Sequence, residues 1–300
     1  MNLETVMKAL GGPRRIILTG RMRPSGKADY LRRREPAVRG EVRRLWRDWR
    51  DALAGAGVAA LVQAGTVQPR LRDAWLDAAQ AWYNDRLKPE LEGALRFAGE
   101  RIIGTYNRRT KAAAFNATLA RILDWTREHG GELIRQLTEG QAATINALLQ
   151  HQVFMGITSP AELSRRLKPM IGLLRREGMA VLRYEAELLA QGLPPTKVSA
   201  MSARYSDFLL GARAERIART ELCFAFEFGQ MESIRQIQEA GLVSDVQKEW
   251  MTAGDDRMCP DCAALDGETV GLDEEFSGGV KVPPLHSGCR CDVGYSATRQ

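Results

Sequence analysis

Long apolar runs, cysteines and histidines are all scarce in this chain of 300 residues. No stretch reaches the ~18 consecutive apolar residues that a membrane span requires. The opening MNLETVMKALGGPRR lacks the apolar centre of a secretory signal. A soluble protein made in the cytosol, with no membrane partner, is expected. No glycine-rich phosphate loop and no internal repeat is visible. The five cysteines are odd in number and four of them fall after residue 258, which rules out a chain-wide disulfide framework. Wholesale disorder is excluded by composition, since 44% of residues are apolar and 27% charged. The length suits about two domains.

Charge is unevenly spread. Residues 1–50 carry 14 Lys and Arg against 5 Asp and Glu, while the remaining 250 are slightly acidic. The excess lies in an arginine-dense run from Arg14 to Arg50, interrupted by Pro13, Pro24 and Pro36 at its edge and within it. Such a block suits a polyanion, nucleic acid first, or an acidic surface of a neighbouring protein; a merely solvated leader has the same composition.

Helical periodicity follows. Trp75, Ala78, Ala79, Trp82 and Tyr83 recur at steps of three and four, and Leu91, Leu95, Ala98 and Ile102 extend the stripe, with Pro89 expected to kink it. Phe115, Leu119, Ile122 and Leu123 open another helix, which Gly130-Gly131 is expected to close. Thr138 with Gln141 has capping-box spacing for a new start. Ser159-Pro160-Ala161-Glu162 is a stronger start signal, combining a capping serine, proline at the first helical position and a glutamate that reaches back.

A long helix is expected from about 212 to 240, with Ile217, Glu221, Phe224, Phe228 and Met231 on one stripe. A glutamate there needs a partner, which makes Glu221 a structural ion-pair candidate; Arg213 or Arg216 is the local fallback. Beyond Gly241 the period shortens, and residues 246, 249–252, 268–272 and 292–295 read as short strands around the Asp266-Gly267 turn. The fold expected is mainly α with a small C-terminal α+β module: a basic arm (1–50), a helical body (51–158) and a helix-plus-strand domain (159–300).

The chemistry concentrates in Cys259-Pro260-Asp261-Cys262 and His286-Ser287-Gly288-Cys289-Arg290-Cys291. Two thiols separated by two residues turn toward one point, and His286 with Cys289 or Cys291 supplies the other two corners of a tetrahedron. This Cys3His set suits Zn2+, and four protein ligands leave no open position, so the ion is structural. A redox pair would want a strand–helix setting of the thioredoxin kind, and disulfides an oxidising compartment. A zinc nuclease would need a further histidine, yet His129 and His151 fall in the helical body. Asp255, Asp256 and Asp261 read as solvated turn residues, and Cys223 as core.

The strings Ile217-Ala218-Arg219-Thr220-Glu221, Trp250 through Cys262, Ala264-Leu265-Asp266-Gly267 and Pro283 through Cys291 resemble the head morphogenesis, or minor capsid, family of tailed phages, the phage Mu F-like proteins. The resemblance covers about 160–292 and makes 159–300 the head morphogenesis domain. It implies a virion protein of the phage head, near the portal, present in the host cytoplasm during assembly. Portal protein and major capsid protein are the partners it implies, and packaged double-stranded DNA is expected to be met non-specifically through the basic arm. Family members have been grouped by fold with ADP-ribosyltransferases, which supplies an enzymatic alternative, and a zinc nuclease is a weaker one. The transferase chemistry requires an arginine, a serine or threonine and a glutamate that converge from separate strands. Arg219, Thr220 and Glu221 are consecutive on an expected helix, so no enzymatic activity is expected.

Overall fold

A computed structural model describes residues 15–19, 26–53, 65–107, 113–151, 159–254 and 258–299. In chain order these form β1 (Arg15–Thr19), α1 (Lys27–Ala52), α2 (Pro69–Trp82), α3 (Lys88–Asn107), α4 (Ala120–Leu149), α5 (Pro160–Leu167), α6 (Arg175–Ala190), α7 (Pro195–Glu239), β2 (Val243–Met251), α8 (Pro260–Leu265), β3 (Thr269–Gly271) and β4 (Asp292–Arg299). The chain is mainly helical with a small strand module, as expected. Among the described residues no helix is long and apolar enough to cross a membrane.

Two compact units are present, and each draws on separated stretches of chain. One comprises Met1–Glu35, Glu90–Asp124 and Arg219–Gln300; the other comprises Pro36–Pro89 and Trp125–Ala218. The sequence suggested consecutive segments instead. Residues far apart in the chain supply one another's apolar neighbours, which no local pattern reveals.

In the second unit, tryptophans organise the core. Leu71, Trp75, Ala79 and Trp82 fall on the buried face of α2. The Trp49 indole donates to the Trp75 carbonyl at 2.9 Å, and Trp75 returns the bond to Trp49 at 3.1 Å. This satisfies two indole N–H groups that burial would otherwise leave unpaired. A π-helical turn, Tyr83–Leu87, joins α2 to α3. It lies where Pro89 lacks an amide and its ring would clash with the Asp85 carbonyl in a regular helix; the wider turn takes up the misfit. Ser159 caps α5 as expected, accepting the Glu162 N–H at 3.4 Å.

The expected break at Gly130-Gly131 does not occur, and neither does the new start at Thr138: α4 runs unbroken through both. Gly130 serves close approach instead of termination. A Cβ there would come 2.1 Å from the Tyr83 ring, whose hydroxyl donates to the Thr126 carbonyl at 2.6 Å. Thr138 is buried.

The first unit holds a four-stranded antiparallel sheet in the order β1-β4-β2-β3. The module expected at the C-terminus thus takes one strand from near the N-terminus. Leu18, Val246, Trp250, Val293, Tyr295 and Ala297 face a core shared with Ile102 and Tyr106 of α3 and Met231, Ile234 and Ile237 of α7. Gly229 lets α7 approach α3, since a Cβ there would lie 2.3 Å from the Leu95 carbonyl oxygen. Lys248 is fully buried, donates to the Leu272 and Glu274 carbonyls and lies 5.2 Å from the Phe276 ring centre. It thereby fastens the turn after β3.

The basic segment also departs from expectation. Residues 1–14 and 20–25 lie outside the described residues; the others form β1 and most of α1. Several of its arginines are held in ion pairs, Arg34 with Glu90 and Arg43 with Asp207. Its Glu35 receives two bonds from Arg219, both at 2.9 Å.

The two adjacent glycines of α4 make a direct test. Gly130→Ala is expected to destabilise by about 1–3 kcal/mol through overpacking against Tyr83. Gly131→Ala, with open space around it, is expected to stabilise by about 0.5–1 kcal/mol through helix propensity. Denaturant titration of the two variants beside wild type checks both signs.

Candidate metal centre

Local backbone rules bring the cysteines and His286 together. Cys259 is the N-cap of α8, extended at φ −78° and ψ 155°, with Pro260 at the first helical position. Its sulfur accepts the Cys262 N–H at 3.3 Å, so one helical turn folds both thiols toward a common point. That bond draws the Cys259 thiol pKa below its ordinary value, as an amide aimed at sulfur favours the thiolate.

The other donors arrive on a tight turn. The Cys289 N–H donates to the His286 carbonyl at 3.1 Å, and Gly288 between them has φ +78°. This is the left-handed position that a type II turn reserves for glycine. From α7, Thr220 Oγ1 accepts the Gly288 N–H at 2.9 Å and holds the turn.

Cys259 Sγ lies 3.1 Å and Cys262 Sγ 3.2 Å from His286 Nε2, and the Cys262 and Cys289 sulfurs are 3.8 Å apart. A tetrahedral zinc with these ligand types would have S···S edges of ~3.8 Å and S···N edges of ~3.6 Å. The observed spacing fits the first and falls somewhat inside the second. Two donor triads are formed, Cys259–Cys262–His286 and Cys262–Cys289–Cys291, with Cys262 common to both. The five residues singled out from sequence are divided between these two triads, each of which could hold a metal ion.

The donors of the cluster differ in acidity. His286 Nδ1 lies 3.1 Å from the Ser287 carbonyl. A carbonyl can only accept, so Nδ1 carries the proton, and Nε2 is the nitrogen that faces the sulfurs. The Cys291 thiol, by hydrogen bonding to Cys289, draws the latter's pKa down to about 4. Burial pushes Cys262 up to about 12. Cys262, Cys289 and Cys291 are buried, Cys259 is half-buried and His286 is exposed, so the site opens to solvent on the histidine side. Asp255 and Asp256 lie outside the described residues.

Sequence reasoning missed the residues behind the cluster. Lys27, at the start of α1, donates to the Cys291 carbonyl and to Glu227. Gln230 bridges Glu227 and Asp292 at 3.1 and 3.2 Å. A lysine in a basic segment carries no signal of such a role, whereas Thr220 stood inside a recognised string without a role assigned to it. Arg219, Thr220 and Glu221 are all on α7; the first binds Glu35, the second Gly288, and Glu221 is buried. Of the local fallback partners for Glu221, Arg213 donates to the Gly172 carbonyl and Arg216 to Glu177.

No curated protein and no solved structure matched the chain. A family profile described as Phage Mu protein F like protein matches residues 143–294, about half of the chain. The match takes in Arg219–Glu221, both cysteine clusters and His286. It ends within β4 and leaves out β1 and α1. With the profile running across its ordered motifs, the chain belongs to the Phage Mu protein F like family, structural head-morphogenesis proteins of tailed phages.

Proposed function

We propose that this protein is a minor component of the phage head that acts in head assembly near the portal, and that its cysteine–histidine cluster holds one structural zinc. The observation that carries this reading is the donor set itself: cysteine sulfurs and an imidazole in two triads that share Cys262, within the stretch that matches a head protein family. Zinc closed by four protein ligands supplies cross-linking and no reactive position. Cys259, Cys262 and His286 would hold the ion with Cys289 or Cys291 as fourth ligand. Neither enzymatic alternative gains an observation. Arg219, Thr220 and Glu221 share one helix, and His129 stacks on Trp125 with ring centres 4.9 Å apart, away from the cysteines in sequence and in a different unit.

The head assignment is tested in the phage. Mass spectrometry of purified heads is expected to find the protein, and a nonsense mutation in its gene should yield lysates poor in infectious particles. Finding it only in the soluble fraction, with normal heads in the mutant, would reject the assignment.

For the metal, one zinc per chain is expected in freshly purified full-length protein by elemental analysis. Cys262→Ser should lose it and unfold residues 258–299 while the tryptophan-rich unit stays helical, because apparent binding energy for structural zinc is on the order of 10 kcal/mol and is folding energy here. Zinc-free wild type with an intact sheet would refute the zinc.

Contact with packaged DNA is proposed through exposed arginines of α1, among them Arg39 and Arg47. Phosphate contact is expected, since no base-reading pattern is present. Deleting the whole segment would remove β1 and α1, so point variants are the better test. Arg39→Gln with Arg47→Gln should lower the log–log salt slope of duplex binding by about 0.9 for each arginine that meets a phosphate. An unchanged slope would redirect the segment to an acidic protein surface, the portal first.

A further inference from the structure

Chain segments from near both ends meet behind the candidate metal site. β1 pairs with β4 from Arg15↔Thr298 to Thr19↔Tyr295. Thr19 Oγ1 donates to the Val293 carbonyl at 3.2 Å and accepts the Tyr295 N–H at 3.1 Å, closing the register from two residues beyond Cys291. Lys27 then turns inward and is only 3% exposed. Its ammonium lies 2.6 Å from Glu227 Oε1 and also donates to the backbone carbonyl of Cys291.

The Glu227 contact accounts for the buried charge, because an unpaired ammonium in the interior is costly. It does not account for the second bond. A donor on the Cys291 carbonyl fixes the peptide plane that follows Cys291. Cys291 itself stands two residues after Cys289, and the turn from His286 to Cys289 stands immediately before. Thr220 holds this loop from one side through Gly288, and Lys27 holds it from the other. Partners behind ligand residues commonly govern how tightly a metal is held.

Resting on the zinc reading above, we propose that Lys27 is a positioning residue for the metal site. Through its bond to the Cys291 carbonyl it sets the arm that carries Cys289 and Cys291, so retention of the ion depends on a residue outside the stretch shared with the family. The N-terminal strand and Lys27 are then part of the metal module despite more than 200 intervening residues.

Zinc transfer from full-length protein to excess chromogenic chelator tests this. Lys27→Met is expected to weaken retention by about 10- to 100-fold, the range for lost partners of metal ligands. Glu227→Gln breaks the charge pair but leaves the ammonium on the carbonyl, and is expected to stay close to wild type. Equal losses in the two variants, or no loss in Lys27→Met, would overturn the proposal. Should Lys27→Met fail to fold, Lys27→Met combined with Glu227→Met removes both members of the buried pair and is expected to fold yet still release zinc faster; normal retention there also overturns it. If wild type holds no zinc, the metal reading fails by itself. Hydrogen exchange at residues 289–293 then decides: faster exchange in Lys27→Met than in Glu227→Gln supports the positioning contact, and equal rates reject it.

Discussion

A carboxylate buried in the middle of a helix must find a cation, and in the sheet-bearing unit that requirement ties distant parts of the chain together. Glu227 is fully buried on α7, and burial favours its neutral form. The nearby arginines of the same helix are committed elsewhere, Arg219 to Glu35 and Arg235 to Glu232 and Asp273. The cation comes from Lys27, 200 positions earlier in sequence. Desolvating two charges costs several kcal/mol each before their attraction is counted, so the pair contributes little net stability. Its effect is on arrangement. The start of α1 must lie against α7 and beside the entry to β4, which brings β1 within reach of the sheet edge.

The same device recurs along α7. Glu232 is also fully buried and is met by Arg121 from α4. Interspersed with Leu222, Cys223, Phe226 and Ile234, these carboxylates leave the helix with buried residues on several faces and no single apolar stripe. Each acidic position selects a partner element, where an apolar residue would accept any greasy neighbour. The unit is consequently specified by charge as much as by hydrophobic burial, a role attested for buried polar groups in some systems.

Around the candidate metal site, the demands are local and mild. One capped turn of helix aims Cys259 and Cys262, and one glycine-dependent turn aims His286 and Cys289. Neither motif needs a large core. Sheet, helix and ligand loop nevertheless share a single cluster of buried residues that includes Cys262, Cys289 and Cys291.

The sequence by itself determined the cysteine–histidine cluster, the family strings, the short strands after Gly241 and the capped start of α5. Each rests on residues within a few positions of one another, where spacing fixes geometry: two thiols on one helical turn, serine before proline, glycine at a left-handed position. Pro89 was legible as a disturbance, though not as a π-helical turn. Gly130 was misleading, because glycine's effect on helix propensity is local while its actual use is room for the Tyr83 ring. The sequence order also concealed the two interleaved units, the N-terminal strand in the sheet and Lys27 behind Cys291. Those were decided only by tertiary structure, since the partner of a buried charge or of an edge strand is whichever complementary group the folded chain brings within bonding distance, and separation along the sequence places almost no limit on that choice.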